Sequence, residues 1–416
     1  MKRIAIHFAR LGPYHLARLE SAAEVLVSVG WEVVAFEIAG TDATYEWEKA
    51  SSHGAGFARK TVFPDRIFEE IPDGELRRGI SIALGELQPD AMAIAGWGTV
   101  DARACLSWCK QRRIPAFVMS ETRAADGKRI WWKEWLKSRV VRKFDGALCG
   151  GESHKRYLVQ LGIPPERIAF GYNVVDNSYF ANEKCSRASS IEEPEAGDRT
   201  KLATRHQPTA AAFPEGPYFL ASNRFVERKN LARLIQAYSE YVASSKSDIW
   251  PLFLLGDGEL RGGLERLAQK LELIIASGDL KLNSYKLKTP SEDGLVFFAG
   301  FRQIEELPAF YSAAGAFVHP ALEEPWGLVI NEAMASGLPI LSSRNVGAAE
   351  ELVVEGETGF LFDPMNVKEM AAALLRMADM PEAHRREMGL AAQSMLERKA
   401  PKRAFGEGLK ALLLLK

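Results

Sequence analysis

Short apolar runs alternate with amphipathic helical patterns twice along this chain, and a polar stretch separates the two series. In the first series the apolar run from Ile4 to Phe8 precedes the turn signal Gly12-Pro13. Apolar residues then recur at helical spacing from Leu16 to Val27. Strands that alternate with helices predict a parallel sheet covered by helices on both faces. We therefore predict an α/β protein built from two doubly wound domains that face each other across a cleft.

The two series of strands and the polar stretch between them set the predicted domain boundaries. Expected strands of the first series are 4–8, 32–38, 91–95, 115–119, 146–149 and 167–172. Those of the second series are 218–221, 252–255, 296–298, 316–318 and 340–342. The pattern predicts an N-terminal domain over 1–180, a largely mobile linker or insertion over 181–217, and a C-terminal domain over 218–400.

The last segment, 401–416, is predicted to form a helix with an apolar face. Phe405, Leu409, Leu412 and Leu413 lie on that face, which needs an apolar partner. We expect this helix to pack back onto the N-terminal domain.

Composition and charge exclude several classes of protein. The 416 residues are 47% hydrophobic and 26% charged, as in ordinary globular proteins, and the net charge of −1 argues against a nucleic-acid-binding protein. The four cysteines match no zinc or redox motif. The N-terminus enters a strand without a signal peptide, and no apolar run reaches the length of a membrane span. These features predict a cytoplasmic protein, with contact at the inner face of the membrane left open.

The stretch from His319 to Pro339 carries a candidate anion site. A strand is predicted to end near His319, and a helix to run from Gly327 to Ser336. The free N–H groups at a helix start attract phosphate, and Gly327 lets a ligand approach them closely. Two carboxylates, Glu324 and Glu332, would then accept hydrogen bonds from sugar or ribose hydroxyls. The alternative is that Glu324 caps the helix and Glu332 lies on a solvated face.

The stretch from Ser222 to Asn230 follows the first strand of the second series and opens a helix. Arg224 and Lys229 can converge there on one anion, and two cations at a diphosphate would stabilise a departing nucleotide. The alternative is a basic, solvated loop, and Arg228 is expected to point into solvent.

Together these two stretches resemble the second domain of family 4 glycosyltransferases, which have the GT-B fold of two Rossmann-like domains. That family carries an Arg and a Lys after the first strand of this domain, and a Glu-x7-Glu motif that Glu324 and Glu332 match. Flanking matches are Leu254-Leu255-Gly256-Asp257-Gly258, Val296-Phe297-Phe298-Ala299-Gly300 and the predicted turn Thr358-Gly359-Phe360-Leu361-Phe362. The resemblance covers about Tyr218 to Met377 strongly and the first domain more weakly.

The resemblance implies a role for each matching residue of the second domain. Arg224 and Lys229 would bind the donor diphosphate and stabilise the leaving group, and Glu324 would contact the donor sugar near the reacting carbon. These three are the predicted catalytic residues. The remaining predicted donor-binding residues are Gly256, the backbone N–H groups of Gly327, Leu328 and Val329, and Glu332, which would hold the ribose.

In the first domain the resemblance is less complete. Gly12 would approach the diphosphate, but Pro13-Tyr14-His15 follows it where the family often has a second glycine. The family's later histidine is absent from Met119-Ser120-Glu121-Thr122, so Glu121 is the candidate replacement. Tyr14, His15 and Glu121 are therefore the acceptor-side candidates, and a surface-loop role for His15 stays open.

The family implies a retaining transfer from a nucleotide-diphosphate sugar to a hydroxyl acceptor, without a metal or cofactor. The sequence contains no Asp-x-Asp motif, which agrees with metal independence. A glycan or lipid-linked acceptor of bacterial surface polysaccharide or glycolipid synthesis is expected. The alternatives are another GT-B enzyme, such as a nucleotide-sugar epimerase or phosphorylase, and a non-catalytic nucleotide-sugar binding protein.

A basic, aromatic stretch over 127–143 falls outside these motifs. It holds seven basic residues, one acidic residue and three tryptophans. Such a helix can lie on an anionic membrane surface. The alternative is that its apolar face packs onto the first domain while its cations are solvated.

Overall fold

The computed structural model describes residues 1–41, 56–181, 216–277 and 294–415. These residues form two compact units. Unit 1 comprises Met1–Asp176 with Ala400–Lys416, and unit 2 comprises Asn177–Lys399.

The core of unit 1 is a seven-stranded sheet whose neighbouring strands are all parallel. Its strands are β1 (Lys2–Phe8), β2 (Trp31–Thr41), β3 (Ala58–Ile67), β4 (Ala91–Ala95), β5 (Ala116–Ser120), β6 (Gly146–Cys149) and β7 (Ile168–Phe170). Their spatial order is β3-β2-β1-β4-β5-β6-β7. Its helices include α1 (Pro13–Leu26), α2 (Asp73–Leu87), α3 (Val100–Arg112), α4 (Trp131–Val141) and α5 (Glu152–Leu161). Apolar clusters lie on both faces of the sheet, as a doubly wound fold requires.

Unit 2 repeats this architecture with a second seven-stranded parallel sheet. Its strands are β8 (Phe219–Ser222), β9 (Leu252–Leu255), β10 (Ile274–Ser277), β11 (Leu295–Gly300), β12 (Ala316–His319), β13 (Ile340–Ser343) and β14 (Gly359–Phe362). Their spatial order is β10-β11-β9-β8-β12-β13-β14. Its helices include α6 (Asn177–Ala181), α7 (Leu231–Ser244), α8 (Arg261–Lys270), α9 (Leu307–Ala313), α10 (Leu328–Ala335), α11 (Gly347–Leu352), α12 (Val367–Ala378) and α13 (Glu382–Lys399).

The last helix, α14 (Ala404–Leu413), belongs to unit 1. Phe405, Leu409 and Leu412 are buried there in the apolar cluster that also contains β1. Before the helix, Lys402 Nζ donates to Glu20 Oε2 and to Asp176 Oδ2, both at 2.7 Å.

Unit 1 ends at Asp176 rather than at residue 180, because α6 packs within unit 2. The Nδ2 of Asn177 donates to Glu397 Oε1 at 2.8 Å, and Ser336 Oγ donates to the carbonyl of Phe180 at 3.2 Å. Most of the predicted linker, 182–215, lies outside the described residues.

The strand order of each sheet indicates at which edge a ligand would bind. In unit 1, β2 and β3 lie on one side of β1 and β4 to β7 on the other. In unit 2, β9 to β11 lie on one side of β8 and β12 to β14 on the other. In doubly wound sheets the crevice for a ligand opens at the carboxyl ends of the two strands where the order reverses. In unit 2 these strands are β8 and β12, which precede the two stretches singled out in the sequence. None of the helices in the described ranges is both long and apolar enough to cross a membrane.

Candidate functional site

The loops that follow β8 and β12 are joined by the side chain of Asn230. This residue has a left-handed backbone with φ 60° at the start of α7. Its Nδ2 donates to the carbonyl of Pro320 at 3.0 Å and to that of Pro364 at 2.8 Å. The N–H of Leu322 also donates to the carbonyl of Arg228 at 2.9 Å. These bonds fix the positions of the loops relative to each other, so charged side chains on both can meet.

Lys229 and Glu324 form an ion pair at the centre of this edge. The Nζ of Lys229 donates to Glu324 Oε2, and both side chains are only 11% exposed. Arg228 Nη1 lies 3.4 Å from the same carboxylate oxygen. The expectation that Arg228 points away into solvent is therefore wrong in part: half of its side chain is exposed, but its guanidinium reaches Glu324.

The charges around Glu324 control its protonation and that of His319. Burial raises the pKa of Glu324, but Lys229, His319 and Arg228 together outweigh that effect and hold the pKa below its ordinary range. His319 is fully buried at the end of β12, with Nε2 3.9 Å from Glu324 Oε2. Burial, reinforced by Lys229, lowers the pKa of His319 to about 3. At neutral pH the cluster thus holds a carboxylate, two cations and a neutral imidazole.

The start of α10 supplies backbone N–H groups at the same edge. Gly327 precedes the helix with φ 96°, a left-handed conformation that favours glycine. A Cβ at Gly327 would lie 3.2 Å from Val346 Cγ1 and 3.4 Å from Glu324 Cγ, so the position is also crowded. In the first turn of any helix the N–H groups have no partner in the helix itself, which for α10 means those of Leu328 and Val329. Together with the helix dipole they favour an anion.

Glu332 lies in the middle of α10 and is fully buried. The hydroxyl of Tyr311, on α9, donates to Glu332 Oε2 at 2.6 Å. The alternative of a solvated-face residue is therefore wrong. A buried carboxylate needs hydrogen-bond donors to offset its loss of water, and Tyr311 supplies one of them.

Arg224 and Gly256 occupy the ends of β8 and β9. Arg224 is exposed, between the buried residues Asn223 and Phe225. Gly256 has φ 119°, and a Cβ there would fall 1.9 Å from the carbonyl oxygen of Asn223. The structure thus gives Gly256 a packing reason to be glycine, since two backbones meet at this point.

Comparison with known proteins identifies the segment that carries these residues. The family model described as "Glycosyl transferases group 1" matches residues 216–380, which include both loops and α10. Residues 216–380 therefore carry the sequence likeness to group 1 glycosyltransferases. This agrees with the resemblance found in the sequence.

Several curated glycosyltransferases are similar over part of this chain. The lipopolysaccharide core biosynthesis glycosyltransferase LpsE of Rhizobium meliloti is 31% identical over 179 residues, which are 43% of this chain and 42% of LpsE. Sucrose-phosphate synthase 4 of Arabidopsis thaliana is 27% identical over 248 residues, covering 57% of this chain and 22% of that protein. The chain thus spans less than half the length of these relatives.

Solved structures extend the likeness in fold to both units. The structure of Anabaena Alr3699/HepE in complex with UDP and glucose has a TM-score of 0.68 at 15% sequence identity and covers 99% of both chains. Sucrose-phosphate synthase from Thermosynechococcus elongatus has a TM-score of 0.67 at 18% identity and covers 99% of this chain and 98% of its own. The predicted fold class, α/β with two Rossmann-like domains of the GT-B type, is confirmed.

The acceptor-side candidates lie in unit 1, outside residues 216–380, which the family model matches. The N–H of Gly12 donates to Nδ1 of His15 at 2.9 Å, so the imidazole caps the start of α1. Burial, helped by Arg18 and Arg10, lowers the pKa of His15 to about 3, so the ring is neutral at pH 7. Tyr14 is partly exposed and Glu121 is exposed. His7, in β1, is buried with Nε2 3.0 Å from Asp101 Oδ2.

The cluster at this edge of unit 2 also contains residues to which sequence reasoning assigned no role in binding. Arg228, Asn230 and His319 lie inside the recognised stretches, where adjacency to Lys229 or to the strand end was an available signal. Tyr311 carried no such signal, because it reaches Glu332 from a different helix. Among the residues that the structure describes, no group of three or more His, Cys, Asp and Glu side chains could hold a metal ion.

Proposed function

We propose that this chain is a glycosyltransferase that moves a sugar from a nucleotide-diphosphate sugar to a hydroxyl acceptor. The observation that carries the proposal is the cluster of Lys229, Arg228 and Glu324 beside the start of α10. It combines cations, a carboxylate and free helix N–H groups at one edge of the sheet.

The donor diphosphate would bind between these groups. Lys229 and Arg224 would donate charge-assisted hydrogen bonds to the phosphate oxygens, and the N–H groups of Leu328 and Val329 would complete the anion site. The ion pair with Glu324 holds the Lys229 ammonium in place before a phosphate arrives. Glu332, fixed by Tyr311, would accept hydrogen bonds from the ribose hydroxyls.

Neutralising the leaving diphosphate would lower the barrier to breaking the glycosidic bond. Two side-chain cations can supply that charge, and we propose that the reaction needs no metal and no cofactor. Positive charge develops at the sugar carbon as the diphosphate departs, and the ionised carboxylate of Glu324 would stabilise it. We propose that the acceptor hydroxyl attacks from the face that the diphosphate leaves, so that the anomeric configuration is retained.

The acceptor is proposed to be a glycan or lipid-linked molecule of bacterial surface polysaccharide or glycolipid synthesis, handled in the cytoplasm. Relatives named for lipopolysaccharide core and O-antigen chain assembly support this choice. Tyr14, His15 and Glu121 of unit 1 stay the acceptor-side candidates, and Gly12 and Gly256 stay donor-side candidates.

A nucleotide panel tests the donor site first. Thermal unfolding is measured with saturating UDP, GDP, ADP and dTDP. A ligand at about 100 times its Kd adds about 2.7 kcal/mol to the stability of the native state. We expect one nucleotide to raise the Tm selectively and thereby to name the donor class. No shift with any of the four would overturn the proposed diphosphate site.

Substitution of Lys229 locates the binding. We expect Lys229→Ala to abolish the nucleotide-induced rise in Tm while the chain still unfolds cooperatively. Lys246→Ala removes an exposed lysine of unit 2 and serves as the matched control. An unchanged nucleotide shift in Lys229→Ala would place the diphosphate elsewhere.

Turnover separates a transferase from a binding protein. Release of the nucleotide is measured with a panel of nucleotide sugars that all contain the selected nucleotide. Each reaction is run with and without a chelator. We expect release to persist with the chelator and the product to show the donor's anomeric configuration by NMR. Nucleotide binding without turnover of any sugar on a full acceptor panel would favour the non-catalytic alternative.

A further inference from the structure

Helix α4 exposes four of its apolar side chains to solvent. Trp131 is 81% exposed, Trp132 47%, Trp135 52% and Leu136 48%. The interpretation that its apolar face packs onto the first domain is therefore wrong. Single exposed apolar residues are common on proteins, but four on one helical stretch form a patch that needs an explanation.

The opposite face of α4 is polar and is bonded to α5. Glu134 accepts hydrogen bonds from Lys137 Nζ and from the hydroxyl of Tyr157, both at 2.7 Å. Ser138 Oγ donates to the carbonyl of Leu161 at 2.8 Å. Turning the helix to bury its tryptophans would break these bonds, so the aromatic face stays directed outward.

Cations lie among the exposed rings. The guanidinium carbon of Arg139 is 4.1 Å from the Trp135 ring centroid, and Lys133 Nζ is 5.4 Å from that of Trp132. Glu134 is the single acidic residue over 127–143, and it bonds to Lys137 and Tyr157. The outward face is therefore aromatic and cationic, and α4 contributes no carboxylate to it.

We propose that the exposed face of α4 docks on the surface of an anionic lipid bilayer. Tryptophan rings favour the headgroup level of a bilayer, because one part of the ring system is apolar and the indole N–H is polar. Lysine and arginine next to them are attracted to anionic lipid. This docking goes beyond the proposed function, since it requires neither a donor nor glycosyl transfer.

The size of the patch favours a lipid surface over a protein partner. At about 1.5 Å of rise per residue, the stretch from Trp131 to Leu136 is about 8 Å long. A standard protein interface buries about 800 Å² on each partner, far more than one such stripe presents. A bilayer interface needs only a few inserted aromatic side chains with cations beside them.

The test is co-sedimentation of the full chain with vesicles. One set contains phosphatidylcholine alone, and the other contains phosphatidylcholine with phosphatidylglycerol. We expect at least about tenfold tighter binding to the anionic set, reduced by high salt. Trp131→Ser combined with Trp132→Ser and Trp135→Ser should lose about tenfold or more in affinity for anionic vesicles.

Two further variants sharpen the test. Lys133→Glu with Arg139→Glu should weaken binding to anionic vesicles and leave binding to neutral ones unchanged. Val27→Ser with Ile82→Ser removes exposed apolar side chains elsewhere in unit 1 and should bind as the wild type does. All variants are compared by thermal unfolding, with and without the selected nucleotide, so that misfolding and failure of the donor site are detected separately.

Three results would overturn the proposal. The first is unchanged vesicle binding in the triple tryptophan variant. The second is equal wild-type affinity for neutral and anionic vesicles. The third is a wild-type dimer that binds no vesicles and dissociates in the triple variant, which would make a second copy of the chain the occupant of this face.

Discussion

The loops after the first strand of each unit occupy equivalent places in their sheets but are bonded in different ways. In unit 1 the N–H of Leu11 donates to Glu37 Oε1 at 2.8 Å. Arg59 and Thr61 donate to the other oxygen of Glu37, Arg59 Nη2 and Thr61 Oγ1 each at 2.7 Å. The next N–H, that of Gly12, donates to Nδ1 of His15. The polar groups of this loop are thus bonded to neighbouring elements of unit 1.

In unit 2 the corresponding loop is also held by hydrogen bonds to neighbouring loops, and in addition it presents two cationic side chains. Lys229 and Arg228 reach a carboxylate on the next loop, Glu324, through long side chains. A phosphate can compete for such cations, whereas it cannot replace the buried bonds of Glu37. We infer that the loop of unit 1 has a structural role, whereas the loop of unit 2 offers cations that a phosphate can bind in place of Glu324.

Among the proposed substitutions, Glu324→Gln should have the largest effect on the site formed by the loops of unit 2. The substitution keeps the shape of the side chain and removes the charge that would stabilise the reacting carbon. We expect kcat to fall about 100- to 1000-fold, roughly 3–4 kcal/mol in activation free energy. Nucleotide binding should be unchanged or tighter, because Lys229 loses its carboxylate competitor. Steady-state kinetics and the nucleotide-induced Tm shift measure the two effects.

The neighbouring carboxylate supplies the control. Glu323→Gln makes the same chemical change one residue earlier and should leave kcat within about twofold. Weaker nucleotide binding in Glu324→Gln would contradict the competition between Glu324 and the phosphate for Lys229.

Glu37→Gln should show that the loop of unit 1 is structural. The Glu37 side chain is fully buried, and its loss of charge leaves Arg59 without its carboxylate. We expect the free energy of unfolding to fall by about 3 kcal/mol, measured by chemical denaturation. Glu32→Gln, which breaks the exposed pair with Arg3, should cost less than about 1 kcal/mol. Equal losses in the two variants would refute the structural role of Glu37.

The central strands of both sheets could be predicted from the sequence because they are buried on both faces. Such strands appear as continuous apolar runs, and Ala91–Ala95, Gly146–Cys149 and Leu252–Leu255 were located without error. Three edge strands were missed. Ala58–Ile67 and Ile274–Ser277 lie at sheet edges and contain partly exposed residues. Gly359–Phe362 was predicted as a turn, because the segment resembles a turn of the family. In the structure it is a strand, and its glycine packs against the backbone of Ile340 in the neighbouring strand.

The candidate site was predictable where its residues are local in sequence. The strand end, the glycine and the helix of the Glu324 stretch follow one another within a few residues. The partners that hold the carboxylates come from other elements and leave no local pattern: Lys229 reaches Glu324 from the loop after β8, and Tyr311 reaches Glu332 from α9. For a related reason the sequence left two interpretations of helix α4 open. Periodicity identified its apolar face but not which face is bonded to α5.

The smallest predicted effect tests a feature that the two units share, a neutral histidine with a lowered pKa. The native-state pKa of His15 and that of His319 are each about 3, against an ordinary value of 6.5. As the pH falls below about 6.5, the unfolded chain takes up protons that the native state does not, so the stability of the native state falls. Each histidine should contribute at most about 1.4 kcal/mol per pH unit, or about 2 kcal/mol between about pH 6.5 and pH 5.

Chemical denaturation over this range measures that slope. Glu324 and Asp101, whose native pKa values are also lowered, add to it only nearer their own ordinary range, below about pH 5. His319→Gln, in unit 2, and His15→Asn, in unit 1, should each reduce the dependence of the unfolding free energy on pH, since neither replacement titrates. His384→Gln, at an exposed position, is the control and should leave the slope unchanged. A slope that survives both substitutions would mean that other groups set the acid stability, and that the two histidines do not contribute to it.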